Sequence, residues 1–79
     1  MEYDQEKVDE AVLALLYLTS FTDHGETRAW KGMDWDAMDR LCEKGYISNP
    51  KSKAKSVALT DEGRKLSEEL FFKLFGKAK

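Results

Sequence analysis

Residues 41–66, LCEKGYISNPKSKAKSVALTDEGRKL, contain the end of one helix, a turn signal and the start of another helix. Gly45 follows a helical pattern, and glycine at that position lets a chain leave a helix in a left-handed conformation. Asn49-Pro50 is typical of a turn. Thr60 precedes two acidic residues and an apolar stripe, which is the pattern of a helix N-cap. The stretch therefore predicts a helix, a β-hairpin and a further helix.

The boundaries of these elements follow from the residue periods. The hairpin has predicted strands at Tyr46–Ser48 and Lys53–Leu59, and the second of these alternates with period two. Asp34 is a suitable N-cap for a helix over Trp35–Lys44, and the last helix is predicted over Asp61–Phe75. The predicted hairpin therefore lies between two helices in the chain, with the lysine-rich segment at its tip.

The N-terminal half predicts one long helix and a short strand. Asp4–Ser20 has acidic residues at its start and apolar residues at helical spacing. The stripe consists of Val8, Ala11, Val12, Leu15, Leu18 and Thr19. Leu13, Leu16 and Tyr17 extend it nearly all round the helix, which is typical of a central helix or one covered by a partner. Next comes an irregular segment with a turn cluster, and Thr27–Lys31 is a candidate strand.

The predicted order of helix, short strand, helix, hairpin and helix is an α+β domain over residues 1–79. Residues 37–70 resemble the helix–wing–helix tail of bacterial winged-helix regulators, where Leu-x-x-Lys-Gly-Tyr-Ile precedes the wing and Leu-Thr-x-x-Gly opens the next helix. A complete helix-turn-helix has two helices before the wing. The segment between Phe21 and Asp34 contains two glycines and no helical pattern. We therefore predict a small winged-helix-like domain that lacks one helix.

The whole chain also resembles a family of short uncharacterised bacterial proteins, a domain of unknown function. The residues that carry this resemblance are Arg28–Gly32, Asp34-Trp35 and Pro50–Ser56. The resemblance implies a bacterial protein and no particular mechanism. The acidic start of the chain is unlike a signal peptide, and no apolar run approaches the length of a membrane span. We expect a cytoplasmic protein.

The composition offers little material for catalysis. The 79 residues include one cysteine, Cys42, and one histidine, His24, so a disulfide or a multi-thiolate metal site is excluded within one chain. Asp36 and Asp39 share a predicted helix face, and such pairs are usually solvated. We find no phosphate-cradling glycine loop. We expect no enzyme activity, no metal or other cofactor and no small-molecule substrate.

Charge is distributed unevenly along the chain. The net charge is −2, but residues 1–43 carry 11 acidic and 4 basic residues, whereas residues 44–79 carry 4 acidic and 9 basic residues. The basic excess is densest in the hairpin, at Lys51, Lys53 and Lys55. With Arg40 and Lys44 of the preceding helix, these residues form the candidate nucleic-acid-binding set. A lysine-rich loop that only maintains solubility is the alternative.

Double-stranded DNA, bound through backbone contacts, is the partner favoured by this charge. The helix before the hairpin is acidic, so phosphates repel it, and Arg40 is its one candidate for reading a base. The tail Lys77–Lys79 adds basic charge. A positive surface that joins Arg40 to the hairpin lysines would favour DNA, and a hairpin isolated beside an acidic helix would favour an interaction with protein.

A protein-interaction or homodimer module is the alternative function. The two terminal helices hold more apolar residues than one small core accommodates. The candidate interface residues are Leu13, Leu16, Tyr17, Phe71, Phe72 and Phe75. Trp30 and Trp35 flank the joint between the short strand and the second helix. We predict that both anchor the core, and stacking on nucleic-acid bases is their alternative role.

Overall fold

The computed structural model describes residues 2–77. This part of the chain forms three helices and one antiparallel sheet of order β1-β2-β3. In chain order the elements are α1 Gln5–Leu18, β1 Phe21–Asp23, β2 Glu26–Trp30, α2 Trp35–Glu43, β3 Ser56–Ala58 and α3 Asp61–Phe75. The predicted α+β class is confirmed, and the arrangement is consistent with a small winged-helix-like domain. No helix in this range is long and apolar enough to cross a membrane.

The helices begin at side chains that accept hydrogen bonds from their first turns. Asp34 accepts from the Ala37 amide at 3.0 Å and Thr60 accepts from the Gly63 amide at 3.0 Å, which confirms both predicted N-caps. Asp4 caps α1 in the same way, although we had placed it inside the helix. Such a cap satisfies an amide that lacks a partner within the helix.

Two glycines allow the end of α2 and the start of α3 to lie close together. Gly45 has a φ of 82°, its amide donates to the Cys42 carbonyl, and the Tyr46 amide donates to the Leu41 carbonyl. This pair of hydrogen bonds is the Schellman arrangement that ends a helix at glycine. A Cβ atom on Gly63 would overlap with the carbonyl oxygen of Tyr46. The first turn of α3 therefore packs directly against the chain that leaves α2.

A tight hairpin precedes α2, and the sequence predicted only half of it. β1 pairs with β2 in antiparallel register, with Thr22 opposite Thr27. His24 and Gly25 form the turn and have φ values of 51° and 81°, as a type I′ turn requires. We predicted an irregular segment in place of β1. Three residues, of which only Phe21 is partly buried, are too few to show an alternating pattern.

The hairpin predicted after α2 is also different. Its second strand, predicted over Lys53–Leu59, shortens to β3, which pairs with β2. The predicted strand Tyr46–Ser48 also lies beside it, because the Ser48 amide donates to the Ala58 carbonyl and the Thr60 amide donates to the Tyr46 carbonyl. Ile47 keeps one bridge, to Leu59. Residues 49–55, here called the wing loop, are irregular. Sequence alone suggested pairing between neighbouring segments, but β2 lies at the centre of the sheet and takes β3 as its second partner.

α1 is the central element of the core and contacts α2, α3 and β2. The buried apolar residues are Val12, Leu13, Ala14, Leu16, Ala29, Ala37, Met38, Leu41, Ile47, Val57, Leu59 and Leu70. Leu13 and Leu16 are each 1% exposed, so they belong to this core and are absent from the exposed surface. Leu18 and Thr19, which we assigned to the apolar stripe, are exposed. Because α2 and α3 both pack against α1, the buried face of α1 differs from the predicted stripe.

α3 is buried along its first part and exposed at its end. Ser67 and Leu70 are buried, whereas Leu74 and Phe75 of the predicted stripe are about half exposed. Tyr17, in the last turn of α1, contacts the Phe71 ring. α3 therefore extends beyond the end of α1, so α1 does not cover the last residues of α3.

Candidate nucleic-acid interface

The wing loop is fixed by a lysine that sequence reasoning missed. The Lys31 ammonium group donates to the carbonyl oxygens of Pro50 and Ser52, at 2.8 Å to the former. The Lys31 amide also donates to the Lys55 carbonyl at 3.3 Å. Within the loop, the Asn49 side chain accepts from the Lys51 amide at 2.9 Å. Main-chain acceptors leave no signal in a sequence, so the role of Lys31 depends on the fold.

Three of the five candidate basic residues lie in the wing loop. Lys51, Lys53 and Lys55 are exposed. None of them takes part in an ion pair with the residues at positions 2–77. The sequence from residue 44 to residue 60 contains no aspartate or glutamate. The loop therefore concentrates positive charge at one exposed place.

Arg40 and Lys44 have a different environment, because both bind Asp9 of α1. The Arg40 guanidinium donates to both carboxylate oxygens of Asp9, at 2.8–3.0 Å. Lys44 donates to the same carboxylate at 3.3 Å. Arg40, the one candidate for reading a base, thus has its Nε and Nη2 donors engaged by Asp9. Lys44 is similarly occupied, although its side chain is partly exposed.

Asp9 is 2% exposed and was not singled out from the sequence. Burial raises the pKa of its carboxyl group, but the hydrogen bonds and charges of Arg40 and Lys44 outweigh burial and hold the pKa below its ordinary value. Asp9 is thus ionised and links α1 to α2. Its helical position, one residue after Val8, gave no indication of burial, because Asp is almost always exposed unless paired.

α2 presents acidic residues beside the wing loop. Asp36 and Glu43 are exposed and Asp39 is half-buried. Because Asp9 accepts from the Nε and Nη2 donors of Arg40, these donors are not free to extend the wing-loop charge onto α2. This arrangement argues against base reading by α2 and leaves the wing-loop lysines as the candidate phosphate contacts.

A groove of about 370 Å³ separates α2 from the wing loop. It is lined by Lys31, Trp35, Met38, Asp39, Pro50 and Lys51. Met38 is buried and forms part of an apolar lining, whereas Lys51 brings one of the exposed charges to the rim. The groove combines an apolar interior with both signs of charge, which is typical of a small-ligand site.

Neither tryptophan anchors the core, contrary to our prediction. Trp35 is 82% exposed at the start of α2, and Trp30 is 57% exposed. Trp30 packs against Phe21, with ring centroids 5.3 Å apart. Trp30 alternates with Ala29, which takes the inward position of β2 and is fully buried. The core is filled by aliphatic residues, so the indole rings remain outside.

Four aromatic rings form a second surface at the ends of α1 and α3. This aromatic face consists of Tyr17, Phe71, Phe72 and Phe75, with neighbouring centroids 5.4–6.0 Å apart. Tyr17 and Phe71 are half-buried, whereas Phe72 and Phe75 are 56% and 50% exposed. The aromatic face therefore contains four of the six residues predicted for an interface.

Residues 4–77 match the family described as Domain of unknown function (DUF6429). The chain belongs to this family. The chain is similar to the uncharacterized protein y4hR of Sinorhizobium fredii (strain NBRC 101917 / NGR234), with 57% identity over 75 residues, which are 95% of this chain and 97% of the relative. No solved structure matches significantly. The resemblance to an uncharacterised bacterial family is confirmed.

The remaining titratable residues of this DUF6429 chain do not gather into one site. His24 lies 2.9 Å from the Asp23 carboxylate, in the exposed β1–β2 turn. Cys42 is unpaired and half-buried against the core. In the described residues, no three His, Cys, Asp or Glu side chains are placed to hold a metal ion. Of the basic tail, Lys77 is exposed, and residues 78–79 lie outside the described range.

Proposed function

We propose that this chain is a non-enzymatic nucleic-acid-binding protein whose wing loop contacts the phosphate backbone. The observation that supports this most is the exposure of Lys51, Lys53 and Lys55 together, with none of them in an ion pair among residues 2–77. Like charges in one loop repel each other and destabilise a fold. A polyanion that binds across them removes this repulsion and releases its own counterions.

The way the loop is held also supports the proposal. Lys31 has its ammonium group on two loop carbonyl oxygens, so it holds the loop beside the sheet while contributing little exposed charge. A loop that is already ordered loses less conformational entropy when it binds. The lysine side chains then act as point charges, which suit phosphate contacts more than base reading.

Backbone contacts predict weak sequence preference and strong salt dependence. Three phosphate contacts correspond to a log–log salt slope of about −2.7 on duplex DNA. The acidic α2 opposes deep insertion into a major groove, because Asp36 and Glu43 would approach the phosphates. Affinity should therefore fall steeply with salt and change little between sequences.

Fluorescence anisotropy of labelled DNA tests the proposal. Duplex DNA and one of its separated strands are titrated with protein at low and moderate salt. We expect binding at micromolar protein in low salt, and a loss of at least about tenfold when Lys51, Lys53 and Lys55 are all replaced by Gln.

A matched control separates the wing loop from net charge. Lys7, Lys65 and Lys73 are exposed on the helices, and their replacement by Gln changes the net charge equally. This control variant should keep most of the affinity. Equal losses in the two variants, or no binding of either DNA form by the wild type in low salt, would reject the proposal.

Self-association through the aromatic face is the second candidate, favoured by the exposure of Phe72 and Phe75. Leu18, at the end of α1, and Leu74, near the end of α3, are also exposed, at 61% and 47%. Exposed apolar surface of this kind marks candidate interaction sites.

A second copy of this chain suits this face. On α3, the exposed acidic residues Glu68 and Glu69 lie between two exposed lysines, Lys65 and Lys73. An antiparallel pairing of two α3 helices sets acidic residues of one copy against basic residues of the other, around the phenylalanine rings. A two-fold interface is self-complementary in this sense.

Sedimentation velocity at high protein concentration tests self-association. We expect a dimer in the wild type and a monomer after Phe72→Glu, with Trp35→Glu as a control that introduces the same charge at another exposed aromatic residue. A wild type that stays monomeric at the highest concentration removes this candidate without affecting the first.

A further inference from the structure

We propose that the groove between α2 and the wing loop takes an unpaired nucleic-acid base, stacked on Trp35, so that the partner is single-stranded. This inference rests on the proposed binding of phosphates by the wing loop and specifies which form of nucleic acid is bound. It assigns a role to Trp35, whose side chain lies outside the core.

The position of Trp35 is the first observation. Trp35 is 82% exposed, although an indole ring is the largest apolar side chain available to a small core. Trp30, by comparison, packs on Phe21. Folding of the monomer therefore does not account for a tryptophan at residue 35, whereas a planar ligand stacked on its exposed ring does.

The lining of the groove is the second observation. Pro50 provides apolar surface in the same groove as Trp35, the buried Met38 lies behind this lining, and the volume of about 370 Å³ lies within the range of small-ligand sites. Asp39, half-buried in the wall, offers a carboxylate that accepts a hydrogen bond from a base amino group. A flat ring with N–H donors at its edge fits this combination.

The charge at the rim is the third observation. Lys51 lines the groove and is also the first lysine of the wing loop. Lys31 lines it too, but its ammonium group is bound to the Pro50 and Ser52 carbonyl oxygens. Lys51 is thus the cation placed to contact the phosphate of a nucleotide whose base lies in the groove, and Lys53 and Lys55 continue along the loop.

A single strand suits these features better than a duplex. Bases in a duplex stack on each other and cannot present a face to Trp35, whereas an unpaired base stacks on exposed aromatic rings. A duplex also brings a second phosphate backbone towards Asp36 and Asp39 of α2. A single strand can pass along the wing loop without bringing a second phosphate backbone close to the acidic residues of α2.

Tryptophan fluorescence tests the stacking directly. In a Trp30→Phe variant, Trp35 is the one tryptophan left in the chain. We expect its emission to be quenched when a mixed-sequence single strand is added, and to change much less with the corresponding duplex. Trp30→Phe itself should bind both forms within about twofold of the wild type.

Affinity provides the second readout. One base stacked on an aromatic ring corresponds to a loss of roughly tenfold or more when the ring is removed. We therefore expect Trp35→Ala to weaken single-strand binding about tenfold and to leave duplex binding nearly unchanged. Its urea midpoint should match the wild type, because the removed side chain is exposed.

The outcomes distinguish this inference from the function on which it rests. If Trp35→Ala binds the single strand as the wild type does, or if Trp35 emission does not respond, the groove assignment is wrong. If at the same time the Lys51/Lys53/Lys55→Gln variant loses both DNA forms, backbone binding by the wing loop still stands. If the wild type binds neither form, both proposals fail.

Discussion

The basic residues of α2 and those of the wing loop are close in sequence and have opposite surroundings. Arg40 and Lys44 converge on the buried carboxylate of Asp9, where they satisfy its charge and join α1 to α2. Lys51, Lys53 and Lys55 face solvent with no acidic partner in the described range. A basic residue close in sequence to the hairpin is therefore not by itself evidence of nucleic-acid binding. A carboxylate of the same chain can already neutralise its charge, as Asp9 does for Arg40.

Removal of Asp9 should produce the largest effect. Asp9→Ala leaves Arg40 without its partner at a site where the guanidinium is mostly buried. Breaking such a pair from one side costs about 3 kcal/mol of unfolding free energy. Urea denaturation measures this loss, and Glu10→Ala, at the exposed neighbouring position, should change the unfolding free energy by less than about 1 kcal/mol. Equal losses in both variants would mean that the α1–α2 ion pair contributes little.

Acidification should remove part of the same contribution. The pKa of Asp9 is lower in the folded than in the unfolded chain, so its stabilisation is present above the unfolded pKa and is lost as pH falls through the folded one. We expect the urea midpoint to decrease below about pH 4. The decrease should be smaller in Asp9→Asn than in the wild type. Parallel pH profiles for the two proteins would contradict the ionised state of Asp9.

Loss of the wing-loop anchor should have a smaller and more local effect. Lys31→Gln weakens two hydrogen bonds to loop carbonyl oxygens, which corresponds to about 1–2 kcal/mol. We expect faster amide hydrogen exchange in residues 51–55 and weaker DNA binding, while exchange in α1 is unchanged. If exchange rises equally in both regions, Lys31 stabilises the whole fold instead of the loop.

A single wing-loop lysine should have the smallest effect on stability. Lys53→Gln removes an exposed charge, so the unfolding free energy should stay within about 0.5 kcal/mol of the wild type. The log–log salt slope of DNA binding should become less steep by about 0.9. Arg40→Gln is the control with the reverse pattern. It should lower the unfolding free energy and leave the log–log salt slope of DNA binding unchanged.

The local features of this chain were readable because they depend on near neighbours. N-caps such as Asp34 and Thr60 act on amides three residues away, and Gly45 acts within one turn. The helix boundaries and the α+β class followed from such features. β1 was missed because its pairing depends on a turn at His24-Gly25 and on a partner strand, and the three residues themselves carry little pattern.

The candidate site was only partly readable, because it depends on contacts between distant segments. The lysines of the wing loop were found from composition, whereas their anchor, Lys31, acts through main-chain oxygens. The pairing of Arg40 with Asp9 was missed because Asp9 lies 31 residues earlier in the chain. Trp35 was assigned to the core because a tryptophan at a helix start gives no sign of which way the helix faces.

The sequence by itself determined three helices, the N-caps of two of them, a lysine-rich turn without acids and an excess of apolar residues in the two terminal helices. The tertiary structure decided which of these side chains remain exposed and unpaired, and so can contact a partner. It buried Leu13 and Leu16, paired Arg40 with Asp9, and left Trp35 and Phe72 exposed. The physical reason is that burial and charge pairing are set by the helices packed around α1, and no local pattern records how those helices are turned.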